Sequence, residues 1–363
     1  MIKYLGSKRR LVSQIVALAK AIPEARTALD LFTGTTRVAQ GLKTAGFTVT
    51  ANDCASYSGV LAEAYIATDA TRVDTARMTA LLAELDALPS ERGYVTRTFC
   101  EEARYFQPAN GERIDAIRAG IDRLARTPTE RAIALTSLLE AADRVDSTTG
   151  LQMAYLKQWS SRSHRALSLR MPALLAGAGR ARCEDALVCA ARKGTYDVVY
   201  LDPPYNQHSY YANYHIWETV VRGDSPPSYG IARKRTDVRT TKSAFNLRGA
   251  AWDALRDVVR QVRARHVILS FSNEGFLTDG ALRALLVERF GEVAMVPVDS
   301  PRYVGARIGI HNLRGERVGE VSHLRNTEWL FVAGPDAAGI VARAGMGAAA
   351  PPDPDAAPFE EAS

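Results

Sequence analysis

The sequence has no long uncharged apolar run. Nowhere do about 18 such residues follow one another, the length a membrane-spanning helix needs, and the start, Met1-Ile2-Lys3-Tyr4-Leu5-Gly6-Ser7-Lys8, lacks an apolar leader core. Neither membrane insertion nor secretion is expected, and the expected compartment is the cytoplasm. Cysteine is scarce as well. Cys54, Cys100, Cys183 and Cys189 have neither the short paired spacing of a zinc site nor the density of a disulfide scaffold, so no metal is expected and a reducing environment suits them. Nor does one sign of charge dominate: 46 Lys and Arg against 40 Asp and Glu leave +6, with a pI near 9.1. That balance is compatible with a polyanionic partner without requiring one. What is present is an ordinary globular composition, 47% hydrophobic and 24% charged over 363 residues, enough to bury a large core in one big domain or two moderate ones.

Periodicity predicts a helix from about Lys8 to Lys20, with Leu11, Ile15 and Leu18 on one face and Pro23 ending it. Ala28-Leu29-Asp30-Leu31-Phe32 reads as a strand entering the small-residue turn Thr33-Gly34-Thr35-Thr36. A helix carrying Val38 and Leu42 follows, then a second strand at Phe47–Ala51 closed by Asn52-Asp53. Strand, turn, helix, strand is the opening of a parallel α/β sheet. From about Ala55 to Arg180 the pattern turns helical, as in Leu81, Leu82, Leu85, Leu88 and again in Ile133, Leu135, Leu138, Leu139. The sheet resumes at Thr195–Leu201, continues at Arg265–Phe271 after a helix from about Gly249 to Arg263, and is expected to close at Asn326–Val332. The expected divisions are 1–66 for the first part of the core, 67–180 for an inserted helical region, 181–333 for the second part, and 334–363 for a disordered Ala/Gly/Pro tail.

Asp202-Pro203-Pro204-Tyr205 directly follows the buried strand at Thr195–Leu201, at a carboxyl end where open α/β sheets build their ligand crevices. A ring amine is a poor nucleophile because its lone pair is delocalised, so a catalyst must accept its N–H hydrogens and favour a pyramidal nitrogen. The Asp202 carboxylate is an acceptor-only group, and the Pro203 carbonyl can take the second hydrogen. The prolines fix φ at two positions and remove competing donors. Tyr205 can stack on a base drawn out of a duplex. A bare Pro-Pro would read equally well as a strand ending in a turn, but both flanking residues and the strand context weigh against that.

Other features are less specific. Gly34, in the turn Asp30-Leu31-Phe32-Thr33-Gly34-Thr35-Thr36, lets backbone approach a cofactor closely. Asp53, ending the next strand, can accept from ribose hydroxyls, although a helix cap and a surface acid explain these residues about as well. Glu184-Asp185 follows another expected strand, with helix capping as the equal alternative. Leu151–Trp159 with Arg162, His164, Arg165 and Arg170 mixes aromatic and basic groups suited to phosphates and base edges, as does a helix with a solvated basic face. Arg233, Lys234, Arg235, Arg239, Lys242 and Arg248, interleaved by Asp237, read as phosphate contacts in preference to a merely solvated loop. Arg302, Arg307, Arg314 and Arg317 form a third candidate contact hairpin.

Taken together, these residues resemble the DPPY-type, Dam-like adenine-N6 DNA methyltransferases of bacteria and phages, over about Lys3 to Val332. The resemblance implies a Rossmann-like S-adenosylmethionine-dependent methyltransferase sheet with an inserted helical region for target recognition, acting on an adenine flipped from double-stranded DNA. It implies that Lys3-Tyr4-Leu5-Gly6-Ser7-Lys8 closes over the cofactor, with Tyr4 and Lys8 in contact. The cofactor turn is matched by Asp30, Phe32, Gly34, Thr35 and Thr36, the ribose acid by Asp53, and the position near the cofactor's adenine by Asp185. Asp202, Pro203, Pro204 and Tyr205 match the catalytic motif, and Lys157, Arg162, Arg165, Arg233, Lys234, Arg235, Arg239 and Lys242 are the expected DNA contacts. The family writes Phe-x-Gly-x-Gly where this chain has Thr36 at the second glycine. A cognate restriction endonuclease is a candidate second partner. RNA adenine or a protein amide is the alternative acceptor, which Asp rather than Asn at position 202 disfavours.

Overall fold

Apolar runs buried at consecutive positions make strands such as Thr48–Asn52 and Ala264–Ser272, and helices such as Val12–Ala21 and Asp279–Phe290 carry one apolar stripe. The computed structural model describes residues 2–4, 8–273, 275–301, 310–311, 317–319 and 325–349. They fall into two units, Met1–Val12 with Arg26–Cys189 and His208–Ser243, and Ser13–Ala25 with Ala190–Gln207 and Ala244–Ser363. No helix among the described residues is long and apolar enough to cross a membrane.

In the first unit β1 (Thr27–Asp30), β2 (Thr48–Asn52) and β3 (Gly179–Arg182) run parallel with β2 in the middle, in the register Thr27 to Thr48 and Val49 to Gly179. The helix Arg37–Thr44 makes the crossover, burying Val38, Ala39 and Leu42. Residues 67–180, read as an insertion, group with these strands. Pro108–Leu124 and Pro128–Val145 are their longest helices. Each begins with proline at its first turn, where no N–H is needed, and Thr127 caps the second by accepting from the Glu130 amide.

Helical periodicity was expected to continue to Arg180, but beyond Val145 the only helix before β3 is the short turn Ser161–His164. Side chains take over the backbone groups there: Gly150 N donates to Thr148 Oγ1 at 3.0 Å and Ser160 N to Ser147 Oγ at 3.1 Å. Ser, Thr and Gly in sequence compete with a helix ladder in this way. Buried Gln152 pins the segment, its Oε1 accepting from Ile216 N at 2.8 Å while its carbonyl accepts from Tyr105 Oη at 2.8 Å and His215 Nε2 at 3.0 Å.

His215 is wholly buried, and desolvation pushes its pKa down to about 3, against the pull of the Gln152 carbonyl. Its folded value lies below the unfolded one, so the folded state binds fewer protons as the pH falls beneath about 6.5 and stability is lost in that direction. From neutrality to pH 5 this one group should remove about 2 kcal/mol. Urea melts of wild type and His215→Gln, whose amide can still donate to Gln152, should diverge in slope over that window; parallel profiles would show that His215 does not titrate as its burial requires.

In the second unit β4 (Tyr196–Leu201) pairs parallel with β5 (Ala264–Ser272). Two further strands follow, β6 (Val293–Pro301) and β7 (Arg325–Ala333), and β7 lies antiparallel between β5 and β6. The run Asn326–Val332 therefore does not close the sheet as expected. β6 lies outside it, a strand whose pattern is interrupted by Pro297 and Asp299. The helices Arg248–Gln261 and Asp279–Phe290 pack through Leu255, Val258, Val259 and through Leu282, Leu285, Leu286. The amino-terminal helix spans Val12–Ala21, preceded by a separate short turn at Lys8–Arg10.

The expected disordered tail also needs correction. Ala337–Arg343 is a helix that buries Ala337, Ile340 and Val341, an i, i+3, i+4 stripe hidden in an alanine-rich stretch. His266 Nε2 donates to Pro335 O at 3.0 Å, and Arg343 Nε to Ala21 O at 3.1 Å. Residues 350–363 lie outside the described ones, as do Arg302, Arg307 and Arg314 of the third basic hairpin.

Candidate cofactor cradle and catalytic loop

At the carboxyl ends of β1 and β2 the chain closes on itself through short polar side chains. Asp30 Oδ2 accepts from Thr33 Oγ1 at 2.9 Å and from Ala39 N at 3.1 Å, which sets the angle between the turn and the helix behind it. Asp30 is 1% exposed and braces the turn from within. Asn52, which sequence reasoning passed over as a strand end, ties the strand ends together: its Nδ2 donates to Leu31 O and Glu184 O, both at 3.2 Å, and its Oδ1 accepts from Glu184 N at 3.3 Å.

Asp53 stands beside the turn, with Oδ2 accepting from Gly34 N at 2.9 Å and Oδ1 from Ala55 N at 3.1 Å. Burial pushes its carboxyl pKa up, opposed by those amide hydrogen bonds. Gly34 has φ of +50°, and a Cβ there would lie 3.1 Å from the Tyr4 ring. Tyr4 stacks on Tyr214 with centroids 4.5 Å apart and on Tyr210 at 5.3 Å, while its hydroxyl meets that of Tyr57 at 3.3 Å. The result is a cluster of tyrosine rings, a glycine turn and an acid side by side. Tyr57 and Tyr214 carried no sequence signal, since their rings meet Tyr4 only through the fold.

Thr36 explains its own departure from the family pattern. It holds a left-handed backbone, φ +62° and ψ 16°, the conformation that makes glycine the usual occupant. A left-handed residue with a Cβ costs roughly 1–2 kcal/mol. Here the Thr36 hydroxyl donates to Thr35 O and accepts from Gln40 Nε2, both at 2.7 Å, and the side chain is fully buried. Thr35 is buried and Phe32 half-buried, while Lys8 is buried in its short turn. Asp185 is exposed, and its Oδ1 accepts from Leu187 N at 2.8 Å. That is the helix-capping alternative for this acid.

The amino-terminal segment is held by a residue the motif reading left unassigned. Lys3 Nζ donates to Asp143 O at 2.7 Å and to Asp146 Oδ1 at 2.8 Å, and Lys3 N donates to Asp143 Oδ1 at 3.1 Å. Burial pushes the Asp143 carboxyl up to about 6, with Lys3 pulling the other way. Tyr4 is thus tethered through its neighbour to the end of the helix Pro128–Val145.

In the second unit Asp202-Pro203-Pro204-Tyr205 leaves β4 at Leu201. Pro203 is buried and the other three residues are half-buried. Tyr205 O accepts from Phe276 N at 2.9 Å, and Asn206 O from Asn246 Nδ2 at 2.8 Å. The Tyr205 ring meets Phe271 edge-on at 5.8 Å, and Phe245, Phe271 and Phe276 floor an apolar recess bordered by Pro203, Pro204 and Tyr205. The loop is therefore fixed by its carbonyls and its prolines, which leaves the Asp202 carboxylate on a rigid support. Phe276 and Asn246 were not legible as parts of it.

The basic residues divide into two kinds. Arg235 is 2% exposed and makes paired hydrogen bonds to Asp224 at 2.8 and 2.9 Å and to Asp237 at 2.8 and 2.9 Å. Those bonds hold the Asp237 carboxyl below its ordinary range. Expected as a phosphate contact, Arg235 is an internal clamp instead. Arg162 is similarly engaged, by Asp146 O at 2.7 Å, Thr148 O at 2.6 Å and the Asp146 carboxylate at 2.5 Å. Lys157, Arg165, Arg239 and Lys242 are exposed, with Arg239 4.0 Å over the Tyr229 ring. Arg233 and Lys234 are half-buried, Arg233 lying 3.2 Å from Glu102.

A family model described as D12 class N6 adenine-specific DNA methyltransferase matches residues 4–273. The chain is 31% identical over 303 residues to modification methylase StsI of Streptococcus sanguinis, covering 79% of this chain and 46% of that protein. It is 28% identical over 335 residues to type II methyltransferase M.NlaIII of Neisseria lactamica, with 88% and 98% covered. With type II methyltransferase M.FokI of Planomicrobium okeanokoites it shares 29% over 304 residues, 78% of this chain and 46% of that one. The chain thus spans about half the length of the StsI and FokI relatives and nearly all of M.NlaIII.

Proposed function

Since the chain belongs to the D12 class N6 adenine-specific DNA methyltransferases, we propose that it transfers the methyl group of S-adenosylmethionine to the exocyclic amine of an adenine flipped out of duplex DNA. The observation that carries this is the Asp202–Tyr205 loop at the end of β4, held by the Phe276 amide on Tyr205 O and by buried Pro203. When bound, S-adenosylmethionine supplies a methyl on a sulfonium, already provided with a good leaving group. The cradle fits an adenosyl ligand: Gly34, with the Tyr4 ring packed against it, offers a close backbone approach, and Asp53 an acceptor for ribose hydroxyls.

The chemistry left to the protein is positioning and electrostatics. The Asp202 carboxylate and the Pro203 carbonyl accept the two N–H hydrogens of the adenine amine, drawing its lone pair out of the ring and toward the methyl carbon. Tyr205 stacks on the extruded base. The surplus proton leaves to water after transfer, so His208, exposed on the loop, needs no role. Target recognition belongs in this reading to 67–180, and Lys157, Arg165, Arg233, Lys234, Arg239 and Lys242 neutralise phosphates. Because the StsI relative is named a modification methylase, the reading extends to protection of DNA beside an endonuclease of the same target.

Expression in a methylation-free host followed by sequencing of modified adenines should reveal one methylated motif; unmodified DNA from cells that make the folded protein would count against the proposal. The cradle has its own test. Asp53→Ala removes a charged acceptor and should weaken S-adenosylmethionine binding about tenfold or more, with duplex affinity little changed. Calorimetry showing cofactor affinity within about a factor of two of wild type, under half a kcal/mol, would exclude Asp53 from the cradle.

A further inference from the structure

The paired strands Ser228–Tyr229 and Lys234–Arg235 end in a turn, Gly230-Ile231-Ala232-Arg233, that presents an isoleucine to water. Ile231 is 82% exposed, whereas the other large apolar side chains counted as exposed among the described residues lie between 37% and 56%. Glycine, asparagine and aspartate are the ordinary turn residues, and a β-branched apolar side chain gains nothing there from the folded chain itself.

The tip is also held still. Tyr105 Oη donates to Ala232 O at 3.0 Å, Tyr94 Oη to Pro226 O at 2.6 Å, and Arg233, at φ +46°, lies 3.2 Å from Glu102. The Arg235 clamp fastens the base of the ribbon. Two cations stand on or beside the ribbon: Lys234, paired with Tyr229, and Arg239, over the Tyr229 ring. A rigid apolar point with cations on the ribbon that carries it is complementary to a base stack framed by phosphates. Proteins that unstack duplexes insert Ile, Leu, Met or Phe in this manner.

We propose that Ile231 is a wedge that enters the base stack of the bound duplex and offsets the loss of stacking when the target adenine is extruded. This rests on the adenine-methyltransferase reading above. Lys234, Arg239 and Lys242 anchor the flanking phosphates, and the apolar side chain occupies space that water would otherwise fill. Its contribution is then independent of salt and confined to substrates whose target base is stacked and paired.

Single-turnover methylation of two duplexes tests it. Both carry the motif found by methylation sequencing, and in one the target adenine faces an abasic position, so that it is already unpaired. Ile231→Ala should slow transfer to the paired duplex about tenfold and to the unpaired one by less than about twofold, since extruding the base costs least where it is already unpaired. Ile231→Phe should retain the wild-type rate on both. An Ile231→Ala protein equal to wild type on both duplexes would overturn the wedge and leave a contact for another macromolecule as the reason for the exposure. Equal slowing on both would overturn it as well. Wild-type protein inactive on both would instead defeat the underlying methyltransferase reading, and the wedge with it.

Discussion

Asp202→Ala should lower methyl transfer by at least about a hundredfold, because one positioned electrostatic contact in a site shielded from water is worth roughly 3 kcal/mol of barrier. The loop should survive the change. The Phe276 amide on Tyr205 O, the Asn246 amide on Asn206 O and the packing of Pro203 all stay in place. Cofactor affinity should stay near wild type, since Asp53, Gly34 and Tyr4 are untouched. Asp202→Asn is the finer comparison. Its amide oxygen still accepts, but its NH2 opposes the amine it must bind and the charge is gone, so its rate should fall between wild type and Ala. A folded Asp202→Ala protein that binds cofactor and methylates adenine at near wild-type rate would remove the carboxylate from the mechanism.

The second large effect concerns stability. Breaking a buried ion pair by removing one partner typically costs about 3–5 kcal/mol, because the other charge is left uncompensated. Arg235→Ala should sit near the lower end, about 3 kcal/mol, since the side chains of Asp224 and Asp237 are 36% and 35% exposed and water can reclaim them. Arg239→Ala with Lys242→Ala should behave in the opposite way. Both residues are exposed, so the melting profile should hardly move, while affinity for related and unrelated duplexes falls together and the salt dependence of binding flattens. Denaturant melts and salt-titrated binding of the two variants separate clamp from phosphate contact. If Arg235→Ala melts like wild type and loses DNA affinity as the double variant does, the clamp assignment is wrong.

What could be read from residues alone followed the range of the forces involved. The unit from β1 to β2 was legible because an apolar run, a small-residue turn and an amphipathic helix are all local. β4 and the Asp202 loop were legible for the same reason. β6 was not, because Pro297 and Asp299 break its pattern and only pairing with β7 makes it a strand. The helix Ala337–Arg343 hid behind its alanines, as its stripe needs only Ala337, Ile340 and Val341. Among the basic residues the error was of another kind: Arg235 and Arg239 look alike in sequence, and which one is solvated depends on carboxylates brought up by folding. The aromatic cluster around Tyr4 gathers Tyr57, Tyr210 and Tyr214 from distant parts of the chain, beyond the reach of any spacing rule.

Thr36 bears on how relatives of this protein are found. The bend it occupies requires a positive φ, and the chain meets that requirement with a threonine whose hydroxyl is bonded on both sides. A search signature with obligatory glycine at this place records the commonest solution and discards sequences that satisfy the same geometry by other means. Screens for such enzymes would widen if the second glycine were rewritten as a residue able to bend left, with Gln or another amide donor four positions later as the accompanying mark.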